Sequence, residues 1–100
     1  MQASVTVTEG RAVIRLEGRF DFNSHRDFRE AIDTVLASPA STIVVDLGSV
    51  EYLDSSALGM LLMLRDRAKG AAREVALANC RGAVKQILDI ANFGKLFSID

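Results

Sequence analysis

The chain is short of the residues on which most enzyme chemistries are built. It has one cysteine, one histidine and one proline in 100 residues. Cys80 has no partner within the chain, so no disulfide framework exists. A reducing compartment and an ordinary, partly buried thiol are expected. His25 stands alone, and no Cys/His ligand spacing for zinc is present. A nucleophile elbow, G-x-S-x-G, fails at both glycines, because Ser56 is flanked by Asp54 and Leu58. Gly94-Lys95 has no phosphate loop before it, since position 89 is aspartate and no Ser or Thr follows the lysine. G-x-G-x-x-G is absent too. Hydrolytic, metal-dependent and dinucleotide chemistry are therefore weakly supported at best, and no cofactor or metal is implied.

Charge of one sign is also missing. Twelve basic residues face thirteen acidic ones, for a net charge of −1. No basic run exceeds two residues, so direct nucleic-acid binding or attachment to an anionic membrane is not expected. The first residues, MQASVTVTEG, show neither a basic n-region nor an apolar h-region. The longest apolar run, Ala57–Leu64, is interrupted by Gly59 and falls short of the about 20 residues a membrane span needs. The expectation is a single cytoplasmic domain over residues 1–100, half apolar and a quarter charged.

What is present is a regular alternation of strand and helix signals. Val5 and Val7 alternate with Ser and Thr, and Ala12, Ile14 and Leu16 alternate with Val13, Arg15 and Glu17. Glu9-Gly10 between them predicts a β-hairpin, ended by Gly18. Ser24 with Asp27 three residues on predicts a helix start. Phe28, Ile32, Val35 and Leu36 then carry a helix over 24–37, which Ser38-Pro39-Ala40 stops. Ile43-Val44-Val45 with Leu47 predicts a strand covered on both faces. A second helix is expected from Ser55 to about Lys69 with Gly70 as its C-cap. Val75–Ala78 is a short strand, Ala83, Val84, Ile87 and Leu88 outline a third helix, and Leu96–Ile99 is a weak last strand.

The order β-β-α-β-α-β-α-β predicts an α/β fold. Its four- to five-stranded sheet is mixed but mostly parallel, with an antiparallel N-terminal hairpin and helices packed against it. In such units the strand-to-helix loops lie at the carboxyl end of the sheet. The loops Gly18–Asn23, Gly48–Asp54 and Asn79–Gly82 are thus expected to gather Asp21, Asp54, Ser55 and Arg81 at one end.

Asp54-Ser55-Ser56 at the entrance of the second helix has two explanations. Asp and Ser are favoured N-caps, and capping alone accounts for the residue types. Helix N-termini also suit phosphate, because free amides and the dipole favour a dianion. A phosphoserine there would add charge beside Glu51, Asp54 and Asp21 and spare the fold. On the helix itself, Ala57, Leu61, Leu64 and Ala68, joined by Leu58 and Leu62, form a stripe expected to face the sheet. Ser56, Gly59, Met60, Met63 and Arg67 lie opposite, and Met60 and Met63 suggest an adaptable apolar contact patch.

The segment VVDLGSVEYLDSSALGMLLMLRDRA closely resembles the central signature of STAS-domain proteins, especially bacterial anti-sigma factor antagonists. Gly18-Arg19-Phe20-Asp21 resembles the family's G-x-x-D. Val84–Asp89 with Phe93–Phe97 resembles its terminal helix and last strand. The resemblance implies the STAS fold and a protein that binds but does not catalyse. It implies phosphorylation of Ser55 by a partner serine/threonine kinase of the histidine-kinase-like ATPase fold, which often doubles as the anti-sigma factor. The unphosphorylated form would bind that partner, phosphorylation would release it, and a metal-dependent serine phosphatase would reset the cycle. Asp21, Asp54, Ser56, Met60 and Met63 would shape the contact. Ala57 departs from the glycine many relatives carry. Two other expectations are a STAS subunit of a lipid-transport ABC complex and, from another class, a nucleotide-binding protein.

Overall fold

The computed structural model describes residues 1–100. Strands β1 (Gln2–Thr8) and β2 (Arg11–Phe20) form the hairpin, and α1 (His25–Ala37), β3 (Thr42–Leu53), α2 (Ser55–Gly70), β4 (Glu74–Ala78), α3 (Gly82–Ile90) and β5 (Ser98–Ile99) follow. Short 3-10 turns occupy Phe22–Ser24 and Phe93–Lys95. Gly10, at φ +69°, supplies the left-handed residue of the hairpin turn. No helix is long and apolar enough to cross a membrane.

The five strands lie in sequence order, β1 antiparallel to β2 and all other neighbours parallel. A parallel sheet that always advances in one direction through right-handed crossovers places its helices on one face. The register agrees. Val5, Ile14, Val45, Leu77 and Ile99 form one row across all five strands. Ile14, Val45 and Leu77 share one buried cluster with Phe28, Ile32 and Val35 of α1, Leu61, Leu64 and Ala68 of α2, and Val84 and Leu88 of α3. Arg67 of α2 reaches Asp33 of α1 at 2.9 Å, and Arg65 donates to the Leu96 carbonyl at 3.0 Å, so α2 sits between its neighbours. The opposite face carries no helix. Val44 lies there, screened by its register partners Val13 and Ala76 and outside the core cluster. The run is thus buried on both faces, with Val44 only 3 % exposed, but helices cover one face alone, and on the other the cross-strand neighbours flank it.

Strand β3 is longer than its apolar pattern indicates. Residues 48–53, expected in a loop, continue the pairing with β2 as far as Phe20↔Leu53. Two bulges make this possible. Arg15 and Glu17 pair with Asp46 and Ser49, and Gly18 and Arg19 with Val50 and Tyr52, so β3 absorbs one extra residue each time. Inward-facing positions run Ile43, Val45, Leu47, Val50, Leu53, and a spacing of two becomes a spacing of three.

The end of α2 also differs from expectation. The helix includes Gly70, Ala71 is the C-cap, and the left-handed residue is Ala72 at φ +58°. Ala72 N–H donates to the Lys69 carbonyl at 3.1 Å and Arg73 N–H to the Ala68 carbonyl at 2.8 Å, the paired bonds of a Schellman motif. A side chain in this conformation is strained by roughly 1 kcal/mol relative to glycine. Ala72→Gly is therefore expected to raise stability in urea by about 0.5–1 kcal/mol, with an unchanged m-value. Lower stability in that variant would show that the motif holds alanine without strain.

Candidate functional site

The ends of β2 and β3 project beyond the rest of the sheet. Pairing of β3 with β4 stops at Asp46↔Ala78, seven residues before Leu53. The Phe20/Leu53 end thus lies about 20 Å further on, at roughly 3.3 Å per residue. This overhang carries the Asp21 turn and the Asp54 helix entrance side by side, joined by a bond from Asp54 N–H to the Phe20 carbonyl at 3.2 Å.

Asp54 is the N-cap of α2. Its Oδ1 accepts from Ala57 N–H at 2.9 Å, and its Oδ2 accepts from Phe22 N–H at 3.2 Å. One carboxylate thus closes the helix and holds the neighbouring turn. Asp21 caps that turn through Asn23 N–H at 3.0 Å, and the Ser24 hydroxyl accepts from Asp21 N–H at 3.1 Å. Ser24, expected to cap α1, makes no side-chain cap bond to it. Its hydroxyl donates to the Arg19 carbonyl at 3.2 Å and is buried in the turn.

With both cap sites taken by aspartates, Ser55 is left free. It is the first helical residue, exposed, and its hydroxyl makes no hydrogen bond within the chain. The first-turn amides of Ser55 and Ser56 have no intrahelical acceptor, as every helix start requires, and the dipole there favours negative charge. Capping, one of the two explanations for D-S-S, thus belongs to Asp54 alone. Ser56 is half-buried. Arg19 stacks over the Tyr52 ring at 4.5 Å and lies 3.7 Å from Asp21. The formal charge at this helix entrance is acidic, with Asp21 and Asp54 against Arg19.

Three expectations about this end require correction. Met60 does not face outward; it is 1 % exposed and lies in the core. Leu62 and Leu58, assigned to the sheet side, are half-buried at the core's margin with Met63. The outward line of α2 runs Ser55, Gly59, Leu62, Asp66 at three- and four-residue spacing. The Ala57–Leu64 run is apolar save for Gly59, so its pattern does not select a face. Arg81 is not a neighbour of Ser55. It donates to the Gly48 carbonyl at 2.8 Å, five extended residues upstream of Leu53.

That position belongs to a separate polar cluster on the helix-free face. Asp46 Oδ1 accepts from Gly48 N–H at 2.9 Å and from the Asn79 amide at 3.0 Å, pinning the first bulge. Burial pushes the Asp46 carboxyl up. The Asn79 and Gly48 hydrogen bonds and the Arg15 and Arg81 guanidiniums outweigh it and hold the group below its usual range. A Cβ at Gly48 would lie 3.1 Å from both Asn79 Cβ and Asp46 Oδ1, so a side chain there would require these two to give by a few tenths of an ångström. Burial raises the nearby Cys80 thiol to about 11, so it is no nucleophile at neutral pH.

Phe22, not singled out in the sequence, is the exposed feature of the site. It is 68 % exposed and meets His25 edge-on at 5.7 Å between centroids. An aromatic between two turn-forming polar residues, Asp21 and Asn23, was the available signal.

The one-faced sheet with its leading hairpin and free serine at the second helix defines a STAS-type domain. The family model described as "Mlab, STAS domain" matches residues 3–98, and the chain belongs to the STAS domain family. It is 54% identical over 86 residues to a STAS-domain containing protein of Pseudomonas aeruginosa (strain UCBPP-PA14), covering 86% of this chain and 84% of that one. Among solved structures it resembles the anti-sigma factor antagonist SpoIIAA in its unphosphorylated form (TM-score 0.75, 24% identity, 98% and 86% of the two chains). It also resembles SpoIIAA of Bacillus in its phosphorylated form (0.72, 23%, 98% and 90%). An anti-sigma factor antagonist from Mycobacterium paratuberculosis matches at TM-score 0.86 with 21% identity over 98% and 83% of the chains. At these identities the likeness to solved structures is one of fold.

Proposed function

We propose that this STAS domain is an anti-sigma factor antagonist of the partner-switching kind, acting by binding and not by catalysis, in the cytoplasm. Unphosphorylated, it docks an anti-sigma factor that is also a serine kinase of the histidine-kinase-like ATPase fold. Phosphorylation of Ser55 releases that partner, and a metal-dependent serine phosphatase restores the binding form. The observation that carries this is the free Ser55 hydroxyl, exposed at a helix entrance whose capping is already done by Asp54.

The chemistry follows from that geometry. A phosphate on Ser55 carries about −1.5 to −2 charges. The helix dipole and the free first-turn amides favour it by roughly 0.3–1 kcal/mol, so the fold tolerates the modification. The same charge sits beside Asp21 and Asp54, where a partner suited to the unmodified surface meets repulsion and uncompensated desolvation. The phosphorylated SpoIIAA relative adds support by analogy.

Incubation with the kinase and ATP, followed by peptide mass spectrometry, is expected to place one phosphate on Ser55. Label on Ser56, or none, rejects the assignment. A second reading, a STAS subunit of a lipid-transport complex, has the matched model's description, Mlab, in its favour. Under it, Ser55 stays unmodified and the protein co-purifies with an ATPase subunit.

A further inference from the structure

The two edges of the sheet are built differently. At one edge β5 is only two residues long, whereas at the other β1 runs for seven residues and pairs with β2 alone. Shortness is one of the devices that keep an edge from pairing with another chain; charge, proline and bulges are others. Strand β1 has none of them. It reads QASVTVT, and its register with β2 is unbroken from Gln2↔Glu17 to Thr8↔Arg11.

Thr8 and Arg11 flank a two-residue turn and so exchange backbone hydrogen bonds, and bonded and open pairs alternate from there along the hairpin. Gln2, Ser4, Thr6 and Thr8 therefore bond to β2. Ala3, Val5 and Val7 direct their N–H and C=O groups away from the sheet. Their side chains lie on the helix side, Ala3 and Val5 at the margin of the core and Val7 45 % exposed. A groove of about 610 Å³ follows this edge, with Ala3 and Val5 on one wall and Asp27, Glu30, Ala31 and Thr34 of α1 on the other.

The strand is also its own complement. About Val5 its pattern is the same in both directions: hydroxyls at Ser4 and Thr6, apolar groups at Ala3 and Val7, polar groups at Gln2 and Thr8. An isologous contact demands this property, because each side chain meets its symmetry mate's counterpart. We infer that β1 pairs with β1 of a second copy of this chain, antiparallel about a two-fold axis at Val5, so that two sheets become one. Val5 then opposes Val5, and Ala3 opposes Val7, so the outward backbone groups satisfy one another. The apolar row stays on the helix side, where Val7 gains a partner. On the other face Ser4 stands opposite Thr6, a hydroxyl pair suited to cross-strand contact. Asp27 and Glu30 bring like charge to the groove from both copies, which keeps the association reversible. The inference is independent of the partner switch.

Sedimentation equilibrium over a range of concentrations is expected to show a mass rising from 10.8 kDa toward twice that value and no further. Amide exchange at Ala3, Val5 and Val7 is expected to slow as concentration rises, while Ser4 and Thr6, already bonded to β2, stay unchanged. Charge variants test the register. Ser4→Glu with Thr6→Glu sets like charges face to face across the axis, and Ser4→Glu with Thr6→Lys sets opposite ones. The first is expected to dimerise at least tenfold more weakly than the unmodified chain, and the second at least as tightly. Both positions are exposed, and Glu at position 4 would face Arg15 of β2, so cooperative melts by circular dichroism are expected for each. A chain that stays monomeric at every concentration overturns the inference and leaves the edge to water or to a strand of another protein. Mass growing past a dimer overturns it too, as does equal association of the two variants. Exchange needs no substitution, so unchanged rates at Ala3, Val5 and Val7 overturn it even where a variant fails to fold.

Discussion

Ser55→Glu is expected to lower affinity for the anti-sigma factor by at least about a hundredfold while leaving the melting temperature within a degree or two. A hundredfold corresponds to about 2.7 kcal/mol. The stability half follows from position. Ser55 is exposed, outside the core and free of hydrogen bonds, so its replacement removes no contact. A carboxylate in the first turn also complements the helix dipole, worth roughly 0.3–1 kcal/mol in favour of the fold. The binding half follows from the neighbours, because the new charge joins Asp21 and Asp54 on the surface proposed to meet the partner. Like charges buried together in an interface cost several kcal/mol. Surface plasmon resonance against the immobilised anti-sigma factor reads the effect, and most of the loss is expected in the dissociation rate. Equal affinity for the variant and the unmodified protein would sink the switch.

How far the sequence carries can be judged at particular residues. Strand and helix order, the hairpin turn at Gly10 and the helix start at Ser55 are all legible, because each is set by local chemistry: alternation, a positive-φ glycine, an aspartate cap. The course of residues 48–53 is not. Period-2 alternation is the only strand signal, and two bulges change the inward spacing from two to three at Leu47–Val50 and Val50–Leu53. The position of Arg81 fails with it, because a strand read as a loop collapses the distance between Gly48 and Ser55. The choice between cap and modifiable serine was likewise open. Asp, Ser and Ser are all good caps, and which one accepts from Ala57 N–H is a matter of φ and ψ, here extended at Asp54. Phe22 is not legible in the sequence, because its exposure is decided by the turn that Asp21 and Asp54 hold from two different elements.

The same limit governs the rotation of α2, and Met60→Asp with Met63→Asp tests it. The two side chains are three residues apart and chemically identical, yet Met60 is 1 % exposed and Met63 only half-buried. Removing the buried thioether forfeits about 2–5 kcal/mol of packing. An unpaired carboxylate among Leu61, Leu64 and the sheet costs several kcal/mol more, or is taken up as a proton. A domain of this size is stable by roughly 5–15 kcal/mol, so Met60→Asp is expected to be largely unfolded at 25 °C, with no cooperative melt. Met63→Asp can turn its carboxylate toward water and is expected to melt cooperatively, a few degrees lower. A folded Met60→Asp would mean that this side chain points outward and that α2 is rotated by more than a quarter turn. Ser55 would rotate with it, because both residues ride on one rigid helix. Which methionine the fold cannot lose therefore also determines which surface the phosphate on Ser55 would face.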